Sequence, residues 1–345
     1  MDTLLRNFRA QCLEAVLNLL WRQWCSLGVA GHSEPANPAL LIDPEALLLA
    51  TTSLGRHDPR LFDEAVDWLG AYGSLINLQR VKNLQQNTIL GDEPVLQAIA
   101  EWVGTHKTQP RWKSLLPKSK PSDPVTQLFI TGNDLTPREA DAIFLAYGLE
   151  RPRFETRGMS QAPNPTLPPN LVFTLRALIG VSARVEVILY LVGHKAAYAS
   201  EIARITGYAP RTLQALMQEM TLSGRVVTQE TSANNSKVRK GANRLYQIEA
   251  TDWAFLTSGK AAAQWFPWGS LYAFVRDVLV AIPNPSDATK HPAIISSKIR
   301  ASLVTHGPTL FGTGILGSLH LRPDASGEDL LQSIAAHLPD IIGGL

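Results

Sequence analysis

The apolar residues of the chain recur with a helical period over most of its length. They return every three or four positions in residues 3–27, 45–53, 60–71 and 94–106, and again after residue 270. Such spacing places one apolar stripe on each helix and is typical of helices that share a core. Short segments rich in proline and glycine separate these stretches. The pattern therefore predicts a mainly α-helical, multi-domain protein.

Two short helices are predicted between Tyr198 and Ser223. Ser200 precedes the first helix as an N-cap residue, and Gly207 closes it. Pro210 suits the first turn of the second helix, because an amide there has no partner inside the helix. The apolar residues of this helix follow i, i+3, i+4, i+7 spacing and predict a buried stripe: Leu213, Leu216, Met217 and Met220. The polar residues left on the outward face are Arg211, Thr212, Gln214 and Gln218.

The period changes after Gly224. Residues 225–229 are rich in β-branched side chains and residues 244–248 alternate, so both are predicted to be short strands. The polar loop between them, residues 230–243, carries the basic residues Lys237, Arg239 and Lys240. The sequence thus predicts a helix pair followed directly by a hairpin with a basic loop.

Residues 171–250 resemble the winged helix-turn-helix domains of bacterial transcription regulators of the MarR and ArsR type. The resemblance implies that the second helix enters the major groove of double-stranded DNA while the hairpin, or wing, touches the neighbouring backbone. Arginine can bind guanine and glutamine can bind adenine, whereas basic wing residues neutralise phosphates. The residues implied to face base edges are Arg211, Thr212, Gln214 and Gln218. Those implied to face phosphates are Lys237, Arg239, Lys240 and Arg244.

The distribution of charge agrees with this interpretation. The 345 residues are 45% hydrophobic and 18% charged, which allows two or three compact units with buried cores. The formal net charge of +2 does not by itself indicate nucleic acid. Residues 183–250, however, hold nine basic and five acidic groups, whereas residues 1–110 hold eight basic and twelve acidic groups. The basic excess falls on the predicted DNA-binding segment.

The chain is predicted to divide into four segments. Residues 1–110 form a helical domain that acts as a scaffold or binds a protein partner. Residues 111–170 form a basic, proline-rich linker with one short helix, opened by a capping box at Thr136. Residues 171–250 form the winged helix-turn-helix. Residues 251–345 form a C-terminal helical region for dimerisation or sensing.

No motif indicates catalysis, a cofactor or a metal. Residues 312–317 match the dinucleotide fingerprint G-x-G-x-x-G, but the α/β context that this motif requires is missing, so the glycines are interpreted as a turn. The eight histidines share no ligand spacing with one another or with a cysteine. The acids Asp63, Glu64 and Asp67 lie on one predicted helix, where a solvated face is favoured over a cation site. We expect the protein not to be an enzyme.

The leading hypothesis is a cytoplasmic, homo-oligomeric transcription regulator. Cys12 and Cys25 lie about 20 Å apart along one helix, too far for a disulfide, which favours a reducing compartment. No run of 18 apolar residues predicts a membrane span. A second hypothesis is an antitoxin-like interaction module, whose residues 1–110 hold a protein partner while the winged helix regulates its own operon. A third is an enzyme acting on nucleic acid, with the winged helix only delivering the substrate.

Overall fold

The structure is a computed structural model that describes residues 1–31, 34–106, 109–118, 124–131, 139–230, 244–257, 263–282, 291–312 and 327–345. Its helices, in chain order, are α1 Asp2–Ser26, α2 Pro44–Ser53, α3 Pro59–Tyr72, α4 Leu78–Thr88, α5 Glu93–His106, α6 Ala142–Leu145, α7 Leu171–Ile179, α8 Ala183–His194, α9 Ala199–Thr206, α10 Pro210–Thr221, α11 Ala254–Thr257, α12 Trp268–Ala281, α13 Pro292–Phe311 and α14 Gly327–Gly344. The strands are β1 Thr126–Gln127, β2 Leu149–Glu150, β3 Ala196–Tyr198, β4 Val227–Glu230 and β5 Arg244–Gln247. Helices make up 67% of the structure and strands 6%, which confirms the mainly α fold.

Some helix starts carry a side-chain cap, as those of α3 and α4 do, whereas others, such as those of α8 and α9, carry none. The Asp58 carboxylate accepts hydrogen bonds from the backbone N–H groups of Arg60 and Leu61 at the start of α3, as the sequence predicts. The prediction that Ser200 caps α9 is wrong. Helix α9 begins one residue earlier, after Tyr198, and Ser200 lies inside its first turn. The reason is that β3 ends at Tyr198, so the chain passes directly from the strand into the helix.

The predicted capping box before α6 is not the cap that the helix uses. The helix begins only at Ala142, where the Asp141 carboxylate accepts hydrogen bonds from the backbone N–H groups of Ile143 and Phe144. Of the box residues, Thr136 lies outside the described residues. A second carboxylate oxygen of Asp141 accepts a hydrogen bond from the N–H of Phe154, at 3.0 Å. One aspartate therefore fixes both the helix start and the segment that follows it.

Two compact units make up the chain. Unit 1 contains residues 1–36, 44–162 and 268–345, and unit 2 contains residues 37–43 and 163–267. The predicted division into four segments stays a prediction. None of the described helices combines the length and the apolar character needed to cross a membrane.

Tryptophans occupy the core of unit 1. Trp24 and Trp68 are fully buried and meet edge to face, with their ring centroids 5.5 Å apart. The indole N–H of Trp24 donates to the Thr51 hydroxyl at 2.9 Å, and that of Trp68 donates to the carbonyl of Leu27 at 2.8 Å. Buried indole groups need such acceptors, because an unpaired N–H in an apolar core is costly. These two bonds tie α3 and α2 to α1 and to the turn that ends it.

The acids of α3 do not form the solvated face that the sequence favours. Arg151 binds both carboxylate oxygens of Asp63, at 2.7 and 3.0 Å, and Arg157 contacts Glu64 at 3.0 Å. Asp67 accepts a hydrogen bond from the backbone N–H of residue 158, at 2.8 Å. Buried carboxylates require donors, and the basic segment after α6 supplies them. This acidic face is an intramolecular docking site.

Arg151 itself is buried, although the sequence places it in a basic, proline-rich linker. Its guanidinium lies 5.2, 5.1 and 5.0 Å from the ring centroids of Phe129, Phe144 and Phe154. Its side chain is only 3% exposed. Arginine suits this position because its planar cation stacks on aromatic rings while its donors bind a carboxylate. A single residue thus holds residues 139–154 against α3.

A buried ion pair joins α2 to α4. Arg80 contacts Glu45 at 2.7 Å, and both side chains are fully buried. The other Glu45 oxygen accepts a hydrogen bond from the backbone N–H of Asn77, at 2.7 Å, and the Asn77 side chain caps α4. Helix α4 carries two basic residues, Arg80 and Lys82. The first of them is therefore inside the core.

We expect the substitution Ile89→Asn to stabilise the protein. Ile89 ends α4 in the left-handed region, with φ 54°, and its side chain is 73% exposed. A β-branched residue is strained there, whereas asparagine tolerates this conformation. The change should raise the free energy of unfolding by about 0.5 to 1 kcal/mol in urea titrations. Ile89→Val keeps the strain and is the matched control, and a gain in that variant as well would contradict the explanation.

We expect Arg80→Ala to lower the free energy of unfolding by about 3 to 5 kcal/mol, because it leaves the carboxylate of Glu45 buried without its cation. The double substitution Arg80→Met with Glu45→Leu removes both charges and should cost clearly less than the single change. Urea titration of the three proteins measures the difference. A double variant that is as unstable as the single one would show that packing, not charge pairing, sets the cost.

Candidate nucleic-acid interface

A buried polar network lies beneath the predicted DNA-binding helices in unit 2. Arg176 of α7 and Glu186 of α8 form a 2.7 Å ion pair, and both side chains are fully buried. The hydroxyl of Tyr208, in the turn between α9 and α10, donates to the other oxygen of Glu186 at 3.0 Å. Tyr208 thus binds the turn between α9 and α10 to α8 and, through Glu186, to α7.

The first turn of α9 is held in the same way. The hydroxyl of Tyr190, on α8, donates to the Glu201 carboxylate at 2.9 Å. Burial, together with the hydrogen bond to this carboxylate, raises the pKa of the Tyr190 hydroxyl. Gly207 ends α9 in the left-handed conformation, with φ 81°, as the sequence predicts. Both ends of α9 are therefore fixed.

Helix α10 packs its apolar side on α8 and α9 and turns its polar side outward. Leu213 and Met217 are fully buried, whereas Leu216 and Met220 are only partly buried, so the buried stripe is narrower than the sequence predicts. Of the residues predicted to face DNA bases, Arg211, Thr212 and Gln218 are exposed and Gln214 is half-buried. The structure brings these four side chains together along one exposed face of α10.

The strands β3, β4 and β5 of unit 2 form a three-stranded antiparallel sheet in the order β3-β5-β4. Strand β5 lies in the middle. Its residue Leu245 lies opposite Tyr198 of β3 on one side and opposite Gln229 of β4 on the other. The hairpin of β4 and β5 follows the prediction. The sequence does not predict strand β3, because three residues are too few for an alternating pattern to be recognised.

The wing is described only at its base. Arg244 is exposed and begins β5, opposite Glu230 in the strand ladder. Three of the predicted phosphate contacts lie outside the described residues: Lys237, Arg239 and Lys240. Their role stays a prediction.

Two other arginines on this unit are already neutralised. Arg184 forms a 2.6 Å ion pair with Glu219 near the end of α10, and Arg225 forms one of the same length with Asp252. Arg211 is the only basic residue in α10 and forms no ion pair with another described residue. The positive charge of α10 therefore lies in its first turn, where the helix dipole adds to it.

Unit 1 contains a serine, a histidine and an aspartate in contact, but not in a catalytic order. The Ser302 hydroxyl donates to Asp277 at 2.7 Å, and the Nε2 atom of His306 lies 3.7 Å from the same oxygen. A hydrolytic triad requires the histidine to lie between the serine and the aspartate. Here the aspartate lies between the serine and the histidine. Burial raises the pKa of Asp277, but the contacts with His306, Arg276 and Ser302 outweigh it and lower the pKa to about 2. This cluster links α12 to α13.

Unit 1 also carries two open clefts. One, of about 730 Å³, lies between α1 and α14 and includes Trp21, Glu14 and Asp340. The other, of about 620 Å³, is lined by Trp102, Phe154 and residues 139–143. Within the described ranges, no three His, Cys, Asp or Glu side chains are grouped to hold a metal ion.

The polar network beneath the helix pair is not among the features predicted from the sequence. Arg176 and Glu186 are charged residues inside an otherwise apolar stretch. A basic and an acidic residue inside predicted core helices are a signal for a buried ion pair, because neither is tolerated alone. Their partner Tyr208 lies in a turn, and nothing in its local sequence indicates the contact.

Comparison with known proteins gives no relative: no protein family, no curated protein and no solved structure matches this chain.

Proposed function

We propose that the protein is a sequence-specific DNA-binding transcription regulator. Helix α10 would lie in the major groove of double-stranded DNA, with Arg211, Thr212, Gln214 and Gln218 facing the bases. The wing between β4 and β5 would touch the backbone through Lys237, Arg239, Lys240 and Arg244. The proposal assigns no catalytic step and no cofactor to the chain.

One observation carries the proposal: a helix pair with an outward polar face is followed directly by a hairpin on the same small sheet. The element order α8, β3, α9, α10, β4, β5, with β5 central, supports a winged helix-turn-helix as the interpretation. A helix fits the width of the major groove, and a hairpin beside it can reach the next phosphates.

The distribution of polar groups gives further support. Arginine and glutamine can each form two hydrogen bonds to one base, so the exposed face of α10 carries groups suited to reading guanine and adenine. Its apolar face is anchored through Leu213 and Met217 and through the fixed turn at Tyr208. A rigid helix loses little conformational entropy on binding, which favours specific over general contacts.

We expect Arg211→Ala to weaken binding to the cognate site by about 1 to 3 kcal/mol and to relax the preference at one base pair. Fluorescence anisotropy with DNA from the region upstream of the gene, against scrambled DNA, measures both effects. Arg6→Ala removes another exposed arginine, from α1 in unit 1, and is the charge-matched control. Equal affinities of the Arg211 variant and the control would overturn the assignment of α10.

Replacing Lys237, Arg239 and Lys240 together by alanine should weaken binding to all DNA sequences alike. Basic residues that neutralise phosphates release condensed cations, so the slope of log affinity against log salt should fall by about 0.9 for each phosphate that is no longer neutralised. A salt series from low to physiological ionic strength measures this slope. An unchanged slope would mean that the wing does not touch the backbone.

The antitoxin-like interaction module remains the second candidate, and the cleft between α1 and α14 favours it. Trp21 is half-buried there, and the acidic residues that line the cleft, Glu14, Glu34 and Asp340, outnumber the one basic residue, Arg22, which suits a partner with a basic and an apolar group. A small reading frame adjacent to the gene, whose product co-purifies with this chain, would support that function.

A further inference from the structure

An extended strap crosses helix α3 in unit 1. This strap, residues 155–162, contains no helix or strand, and each of its residues is exposed except Ser160, which is half-buried. Its one large apolar side chain, that of Met159, is 63% exposed. The strap therefore buries no large apolar side chain, and the contacts that hold it are polar.

The strap presents an arginine and the backbone beside it to two carboxylates of α3. Arg157 donates to the Oε1 atom of Glu64 at 3.0 Å, and the next backbone N–H, that of Gly158, donates to Asp67 at 2.8 Å. Glu64 is only 3% exposed and Asp67 only 5%. Because buried carboxylates need donors, this part of α3 suits a cationic side chain followed by a free backbone N–H.

A glycine just after α1 lets the backbone of the strap lie directly on it. The N–H of Gln161 donates to the carbonyl oxygen of Gly28 at 2.8 Å. A Cβ atom at position 28 would lie 2.3 Å from the carbonyl oxygen of Gln161, and Gly28 has φ 98°, so only glycine fits there. We call the surface formed by Glu64, Asp67 and Gly28 the α3 groove. Its shape and charge suit an extended chain that carries an arginine.

The strap does not satisfy the α3 groove completely. The Oε2 atom of Glu64 is buried and receives no hydrogen bond from a described residue, and the buried hydroxyl of Ser160 also has no partner among them. Arg151, by contrast, binds both oxygens of the neighbouring Asp63, at 2.7 and 3.0 Å. An unpaired buried oxygen costs free energy. An arginine that bound both oxygens of Glu64 would therefore be held more tightly than Arg157.

We propose that the α3 groove binds an extended, arginine-bearing segment of a partner protein, and that the strap occupies the groove until this partner displaces it. The present contacts define the chemistry of the partner: a guanidinium for Glu64, a backbone N–H for Asp67 and a second N–H for the carbonyl of Gly28. Backbone groups combined with side-chain pockets are a common mode of peptide recognition. This inference goes beyond the proposed DNA binding and does not rest on it.

The strap is held weakly enough to be displaced. The side chain of Arg157 is 65% exposed, so water screens its ion pair, and no apolar burial adds to it. For a free segment with these contacts we expect a dissociation constant on the order of 0.1 mM. A tethered segment competes at an effective concentration on the order of 1 mM. The docked strap should therefore outnumber the detached one by about ten to one.

Hydrogen exchange followed by mass spectrometry measures this detachment. The amides of Gly158 and Gln161 should exchange only about 10-fold more slowly than in a free peptide, because each detachment exposes them. The amides in the middle of α3 should be protected far more strongly. Strap amides that exchange as slowly as those of α3 would contradict a releasable strap.

The substitution Gly158→Pro opens the groove for a binding test. Gly158 has φ 65°, which proline cannot adopt, and the change removes the N–H that donates to Asp67. The probe is a fluorescent peptide with the sequence of residues 155–162, titrated with the full chain and followed by anisotropy. We expect the variant to bind the peptide about 10-fold more tightly than the wild type, because the tethered competitor no longer docks. Met159→Ala keeps all three contacts and should bind as the wild type does.

A second peptide separates recognition of the arginine from general attraction between charges. With glutamine in place of the arginine, the peptide should bind the Gly158→Pro chain about 5-fold more weakly. In a chain that also carries Glu64→Gln the two peptides should bind equally, because the partner of the arginine is gone. The melting temperature of the Gly158→Pro chain should stay near that of the wild type, since the strap buries no large apolar side chain.

Three results in the binding test would overturn the proposal. The first is a Gly158→Pro chain that binds the peptide no more tightly than the wild type, or not at all up to about 1 mM. The second is a glutamine peptide that binds as well as the arginine peptide. The third is a melting temperature that falls by about 10 °C or more in the Gly158→Pro chain, which would make the strap a part of the folded core.

Discussion

Buried arginines paired with carboxylates hold the helices of both units in place. Arg80 and Glu45 join α2 to α4, Arg151 and Asp63 hold the segment after α6 against α3, and Arg176 joins α7 to α8 through Glu186. A charge removed from water is tolerated only when its partner is held at bonding distance. Such pairs add little to net stability, because the cost of removing both charges from water offsets much of their attraction.

The need to pair a buried charge also determines how unit 2 presents its surface. Glu186 accepts the Arg176 cation on one oxygen and the Tyr208 hydroxyl on the other. Tyr208 lies in the turn that sets the direction of α10, so a buried charge fixes how the exposed polar face is presented. An interface that reads DNA bases needs this precision, because hydrogen bonds to base edges tolerate errors of only a few tenths of an ångström. The proposed function thus depends on polar groups that never touch the ligand.

The sequence by itself determined the helical class, most helix boundaries and the polar face of α10. These depend on local chemistry: the period of apolar residues, the caps at Asp58 and Gly207, and Pro210 in a first turn. Tertiary structure alone decided the rest. The strand β3, the start of α9 after Tyr198 and the buried state of Arg80 and Arg151 all depend on partners distant in sequence. Local patterns cannot distinguish a basic residue in water from one paired in a core, because its partner lies on another element and only folding brings the two together.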